Sequence, residues 1–269
     1  MSQPSLKVLI TGASSGVGAA LARLLSSSGP CHGYGPRSPY PRVATALHLC
    51  GRKDAALAEI ARECREASEG KCVVTTSIGD VGKEEDVNRI WQEYWAQHQG
   101  VDVFVGNAGI NRVGSISEIS TSDYDDVMNT NLRSNFLFMR HVLPRLMEQQ
   151  HGQVVFTNSV RGLKGSRGTA LYTASKFGLE GFTQCLRDEC VGSGVKVGSV
   201  FPAGIATPWW SDDSRGGKRE RVPDTSRFLL PKDVAEAILS LIHQPEKVDN
   251  SSVVMPNVTP PRMVPRPKM

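Results

Sequence analysis

Short β-branched runs and helix-like segments alternate along this chain, and that alternation restricts its fold more than any other feature. LKVLITG (6–12), ATALHLCG (44–51), KCVVTTSI (71–78), VDVFVGN (101–107), GQVVFTNS (152–159) and VKVGSVF (195–201) read as strands. They are apolar on both faces, as a parallel sheet covered by helices requires. Helical patterns occupy 16–27, 53–69, 83–98, 122–150 (as one helix or two), 169–191 and 232–243, and SSVVMP (251–256) reads as a last strand. Parallel neighbours need long crossovers, usually helical, so this order predicts one doubly wound α/β domain over 1–258, with no internal repeat.

Two segments break the rhythm. GPCHGYGPRSPYPR (29–42) is Pro/Gly-rich and longer than most helix-to-strand links. Such a link lies at the N-terminal edge of a parallel sheet, whereas ligands bind beyond the carboxyl ends. A surface insertion away from the chemistry is therefore expected rather than a partner-binding loop. The tail TPPRMVPRPKM (259–269) is basic and proline-rich, expected to fray or to drape over a surface, and carries no peroxisomal or ER-retention ending.

Composition narrows the function classes. A net charge of +4, with Lys and Arg scattered along the chain, argues against nucleic acid. No apolar run reaches membrane-spanning length, and the first strand follows the N-terminus too closely for a signal core, so a cytoplasmic protein without membrane attachment is expected. The six cysteines form no C-x-x-C pair and the six histidines no HxH or HExxH arrangement. Free thiols and no metal site are expected.

The first strand–helix junction carries TGASSGVG (11–18). Gly12, Gly16 and Gly18 would let the backbone turn sharply, approach a pyrophosphate and pack the helix on the sheet, and the helix N-terminus would face the anion. Placed after strand one, this is a dinucleotide signal. Strand two ends in HLCGRKD, offering Gly51, Arg52 and Lys53 where an acidic residue would accept from a free ribose. A guanidinium suits a 2′-phosphate, so NADP(H) is favoured and NAD(H) is the alternative. Against this, Asp54 lies one residue beyond Lys53, neither Ser14 nor Ser15 adds a basic group, and Arg52 with Lys53 also fits a solvated first helical turn.

SVRGLKGSRGTALYTASK (159–176) sets Tyr172 and Lys176 four apart, on one helix face, thirteen residues after Ser159. A Tyr-x-x-x-Lys pair alone occurs by chance in many helices; here it follows the dinucleotide turn. The chain resembles a short-chain dehydrogenase/reductase of the shorter, single-domain branch, with the motifs in that family's order: TGASSGVG, Asp80 in IGDV, GNAG (106–109), Asn131 in TNL, Ser159, Tyr172, Lys176 and PAGIAT (202–207). The resemblance implies a Rossmann fold of seven parallel strands with helices on both faces, assembled as a homodimer or homotetramer. It implies that Ser14, Ser15, Val17, Val81, Ala108, Gly109 and Pro202 line the cofactor. By the same resemblance Asp80 holds the adenine edge and Asn107 lines the adenosine ribose. Ile205 meets the nicotinamide carboxamide through its backbone, and Thr207 through its hydroxyl.

The chemistry these types serve is hydride transfer between nicotinamide and a carbonyl or secondary alcohol. Reduction leaves negative charge on oxygen, which must be protonated as it forms. Tyr172 would be that acid and base, Lys176 would stabilise its phenolate and hold the nicotinamide ribose, and Ser159 would fix the substrate oxygen. In the family, the asparagine matched by Asn131 distorts its helix and supports a water linking the lysine to solvent. Two departures lie near the cofactor, each removing no catalytic group. Gly106 stands where the family usually has a further asparagine, and Pro202-Ala203 where it has Pro-Gly.

The segment after Thr207 corresponds to the family's substrate-covering loop. Trp209 and Trp210 either close an apolar lid over substrate or pack against the last helix. Arg161, Lys164 and Arg167 either attract an anionic substrate, such as an acyl thioester, or form a solvated basic turn, the latter being expected. A non-catalytic NADP(H) sensor or scaffold is the alternative function, opposed by the intact Ser–Tyr–Lys–Asn set. An epimerase or dehydratase of the longer branch would need more chain after strand six for its substrate domain.

Overall fold

β1 (Lys7–Thr11) pairs with β2 (Ala46–Gly51) on one side and β4 (Val103–Gly106) on the other, both parallel. β3 (Val73–Ile78), β5 (Gly152–Thr157), β6 (Val195–Pro202) and β8 (Ser252–Met255) complete a seven-stranded parallel sheet ordered β3-β2-β1-β4-β5-β6-β8. The computed structural model describes residues 5–27, 40, 43–210, 221–245, 247–258 and 263–265. The architecture is the doubly wound Rossmann fold anticipated from the strand–helix alternation. The insertion 29–42, Tyr40 apart, lies outside the described residues.

Helices cover both faces because every crossover returns over the sheet. α1 (Gly16–Ser26), α2 (Asp54–Ala67) and α7 (Pro231–Ile242) share one core with Val8, Ile10 and Leu47. α3 (Glu84–His98), α5 (Ser134–Gln149) and α6 (Ala170–Glu189) share the other with Leu9, Phe104 and Phe156. Alternate residues of β1 thus feed opposite cores, and each fully buried side chain such as Leu9 or Ile10 stabilises the fold by about 1.5–3 kcal/mol.

The 122–150 pattern resolves into α4 (Thr121–Met128) and α5, joined without a break by a π turn, Asn129–Arg133. Ser120 and Asp123 form a capping box at the start of α4. A second, two-stranded sheet pairs β7 (Arg221–Pro223) antiparallel with β9 (Met263–Pro265), so part of the proline-rich tail is a strand. Three-residue strands flanked by prolines carry no periodicity by which the sequence could have announced them. Among the described residues no helix is long and apolar enough to cross a membrane, and Cys50, Cys64, Cys72, Cys185 and Cys190 are free thiols.

Candidate active site

Strand order reverses between β1 and β4, and a cleft opens over their carboxyl ends, about 1100 Å³ including its open mouth. Its floor is bare backbone. Gly12 and Gly16 have φ of +67° and +58°, which disfavour any side chain, and a Cβ on Gly12 would stand 2.9 Å from Ala108 Cα. Gly18 lies behind the floor, where a Cβ would stand 2.5 Å from the Gly12 carbonyl oxygen, so glycine lets α1 pack on its own turn. α1 starts at Gly16, and Ser15, Gly16 and Val17 line the cleft, which sets the positive end of the helix dipole there. Thr11 ties this turn to the β4 loop. Its hydroxyl accepts from the Asn107 and Ala108 N–H groups at 3.0 and 3.1 Å, while Asn107 Nδ2 donates to the Thr11 and Gly12 carbonyls at 3.0 and 3.2 Å.

One end of the cleft is bounded by Arg52, exposed beyond β2, and by Gly79, Asp80 and Val81 beyond β3. The Asp80 N–H donates to Asp86 Oδ2 at 2.8 Å, and Arg89 holds both Asp86 and the Ile78 carbonyl, at 2.6 and 2.7 Å. The loop is therefore clamped by the first turns of α3.

The other end holds Ser159, Tyr172 and Lys176. Ser159 follows β5; its hydroxyl accepts from the Arg161 N–H at 3.1 Å, capping a short 3₁₀ turn, and donates to the Pro202 carbonyl at 3.4 Å. Tyr172 is half-buried in the first turn of α6. Burial pushes its phenol up to about 12, while a hydrogen bond with Ser159 and the Arg161 charge pull in the opposite direction. Lys176, one turn on, is buried; burial brings its ammonium down to about 8. Its Nζ donates to the Thr157 carbonyl at 2.8 Å and lies 5.7 Å from the Tyr172 ring centroid. The lysine is thus anchored on β5 beside the tyrosine rather than on the phenol oxygen.

Asn131 does not line the cleft. It is fully buried in the π turn, where its carboxamide accepts from the Ile110 N–H at 2.8 Å and donates to the Ile110 carbonyl at 2.9 Å and to Ser175 Oγ at 3.0 Å. Ser175 in turn donates to the Tyr172 carbonyl at 2.8 Å. The β4 loop and the Tyr172–Lys176 turn are held through one amide.

Residues 6–216 match the family model described as short chain dehydrogenase. The chain belongs to that family. This short-chain dehydrogenase is similar to a sepiapterin reductase of Chlorobaculum tepidum, 30% identical over 251 residues that span 92% of this chain and 94% of the relative. Its fold is shared by an alcohol dehydrogenase from the archaeon Thermococcus sibiricus complexed with 5-hydroxy-NADP (TM-score 0.78, 24% identity, 98% of this chain and 100% of that one). It is also shared by a 3-ketoacyl-(acyl-carrier-protein) reductase from Brucella melitensis complexed with NADH (TM-score 0.76, 20% identity, 94% and 97% covered).

Most of the residues singled out in this short-chain dehydrogenase's sequence line this cleft; among those that do not are Gly18, Lys53, Gly106, Asn131, Arg161 and Trp210. Arg161 is half-buried, with Nη1 3.5 Å from the Lys164 carbonyl, and Lys164 and Arg167 are exposed. The tryptophans part company. Trp209 lines the cleft edge-on to Tyr172, whereas Trp210 donates from Nε1 to the Ile205 carbonyl at 2.8 Å and packs on Phe228. Ile205 and Thr207 both line the cleft, with Thr207 Cγ2 3.3 Å from where a Gly16 Cβ would stand. Sequence reasoning missed Thr11, Thr157 and Ile110. Thr11 opens the glycine motif and was within sight, but Thr157 and Ile110 act through backbone groups, which no residue type reveals.

Proposed function

We propose that the chain is an NADP(H)-dependent oxidoreductase acting on a carbonyl or secondary alcohol substrate, with Tyr172 as general acid and base. The observation that carries this reading is the convergence of Tyr172, Ser159 and Lys176 on a cleft whose floor is a glycine turn at a helix N-terminus. The bare backbone of Gly12 and Gly16 fits a dinucleotide pyrophosphate, and Arg52 at the mouth fits a 2′-phosphate. The solved neighbours carrying 5-hydroxy-NADP and NADH support a nicotinamide dinucleotide.

When bound, the nicotinamide supplies or accepts the hydride. The rest is done by this chain. Ser159 orients the substrate oxygen, Tyr172 gives that oxygen its proton, and the Lys176 ammonium stabilises the resulting phenolate. Asn131 holds the β4 loop and α6 in register for this. Trp209 covers the substrate beside the phenol. Apolar Phe136 and Phe177, exposed on α5 and α6, support assembly as a homodimer or homotetramer, and we take the protein to be cytoplasmic.

The test is a panel of ketones, quinones, acyl thioesters and secondary alcohols, followed by absorbance with NADPH, NADH, NADP and NAD. Turnover with NADPH or NADP that falls about 10²–10⁴-fold in Tyr172→Phe, with cofactor binding retained, is expected. Cofactor binding with no turnover on any member would instead favour the sensor or scaffold reading.

A further inference from the structure

We propose that Asn135 is a positioning residue for the Asn131–Lys176 side of the cleft, acting through the π turn, and that position 106 is glycine in order to admit it. A π turn shifts the helical ladder, the Ser134 N–H reaching five residues back to the Asn129 carbonyl, so the carbonyls that follow can take side-chain donors as well. Two side chains one turn later reach back to supply them. Ser134 Oγ donates to the Thr130 carbonyl at 2.6 Å, and Asn135 Nδ2 donates to the Asn131 carbonyl at 2.9 Å. Both donors are buried. Thr130 lines the cleft, and Asn131 carries the clamp on Ile110 and Ser175.

The Asn135 amide needs room, and the end of β4 provides it. A Cβ on Gly106 would collide with Asn135 Oδ1 and stand 2.7 Å from Phe156 Cδ1. Gly106 directly precedes Asn107, whose amide joins the β4 loop to the glycine turn. One amide therefore sits between the π turn and the strand end that carries the cofactor loop. The asparagine that the sequence lacks at 106 has a counterpart in space, contributed by α5.

The catalytic part of this proposal rests on the function proposed above; the structural part does not. The experiment compares Asn135→Ala, Gly106→Ala and the double variant with Val142→Ala, a buried α5 residue seven positions further along the helix. Hydrogen exchange of residues 107–112, NADPH binding by fluorescence, and turnover of the fastest panel carbonyl are read for each. Asn135→Ala should speed exchange at Ile110 and lower kcat, each about tenfold, as expected for one lost buried hydrogen bond, with NADPH affinity within about twofold. Val142→Ala should change neither at a comparable loss of melting temperature. Gly106→Ala should be less damaging in the Asn135→Ala background than alone. Exchange in Asn135→Ala no faster than in Val142→Ala, or additive effects in the double variant, would overturn the proposal. If Gly106→Ala does not fold, the comparison of Asn135→Ala with Val142→Ala decides. A protein that turns over no panel member defeats the catalytic reading, while the exchange data still decide the role of Asn135.

Discussion

The Trp209 ring stands edge-on to Tyr172, with centroids 5.9 Å apart and planes at 76°, while the adjacent Trp210 is turned away to Phe228 and the Ile205 carbonyl. Neighbours in sequence thus have separate tasks. Trp209→Ala should raise the substrate KM several-fold with little change in melting temperature. Trp210→Ala removes a hydrogen bond and a ring contact and should cost about 2–3 kcal/mol, measured by denaturant unfolding.

Lys176 is held near 8 by burial, against an ordinary lysine value near 10.4. Its ammonium is present below that pH and lost above it, so kcat for carbonyl reduction should decline through about pH 8. Between pH 8 and about 10.4 the unfolded chain binds the extra proton, so this group makes stability rise with pH. At pH 7 the buried charge is a cost. Lys176→Met should abolish activity yet, after losing the bond to Thr157, still gain about 1–2 kcal/mol of stability.

Arg52 is an exposed cation lining the end of the cleft proposed to take the adenosine. Arg52→Ala should raise the KM for NADPH roughly 10–100-fold, the value of a charge-assisted contact, and leave the KM for NADH within about twofold. Equal effects on both cofactors would remove the arginine from the 2′-phosphate.

Asp86 accepts the Asp80 N–H and is itself held by Arg89. Asp86→Ala frees the loop at the proposed adenosine end and should raise the KM for both cofactors about tenfold at unchanged kcat, as the loss of one charged hydrogen bond implies. Binding of an adenine nucleotide fragment, measured by calorimetry, should weaken in parallel.

His48 is fully buried with its ring nitrogens 2.8 and 2.9 Å from Thr75 and Ser77 hydroxyls, and burial lowers it to about 4. His243, also buried, is lowered to about 4 for the same reason. Both are neutral in the fold, so the unfolded chain takes up protons first as pH falls below about 6.5. Their stabilisation is complete above that value and is lost towards pH 4, roughly 2 kcal/mol per histidine at pH 5. Urea midpoints at pH 7, 6 and 5 should track this loss, and His48→Gln should flatten the slope.

Much of this was legible in the residues. β-branched runs separated by crossover-length helical patterns admit little but a parallel, doubly wound sheet. Gly12, Gly16 and Gly18 stand out because backbone turns of that kind exclude Cβ atoms, and Tyr172 and Lys176 because helical spacing alone puts them on one face. These are local properties, encoded by period, side-chain volume and short-range spacing, and the sequence by itself determined them. The tertiary structure decided what depends on partners distant in the chain. It turned Lys176 to the Thr157 carbonyl, separated Trp209 from Trp210, buried Asn131 behind the cleft as a clamp, and seated Asn135 against Gly106. Each of these is a hydrogen bond or a packed contact between elements, made to satisfy a buried polar group or fill a buried volume. Such demands exist only once the sheet and its helices have come together.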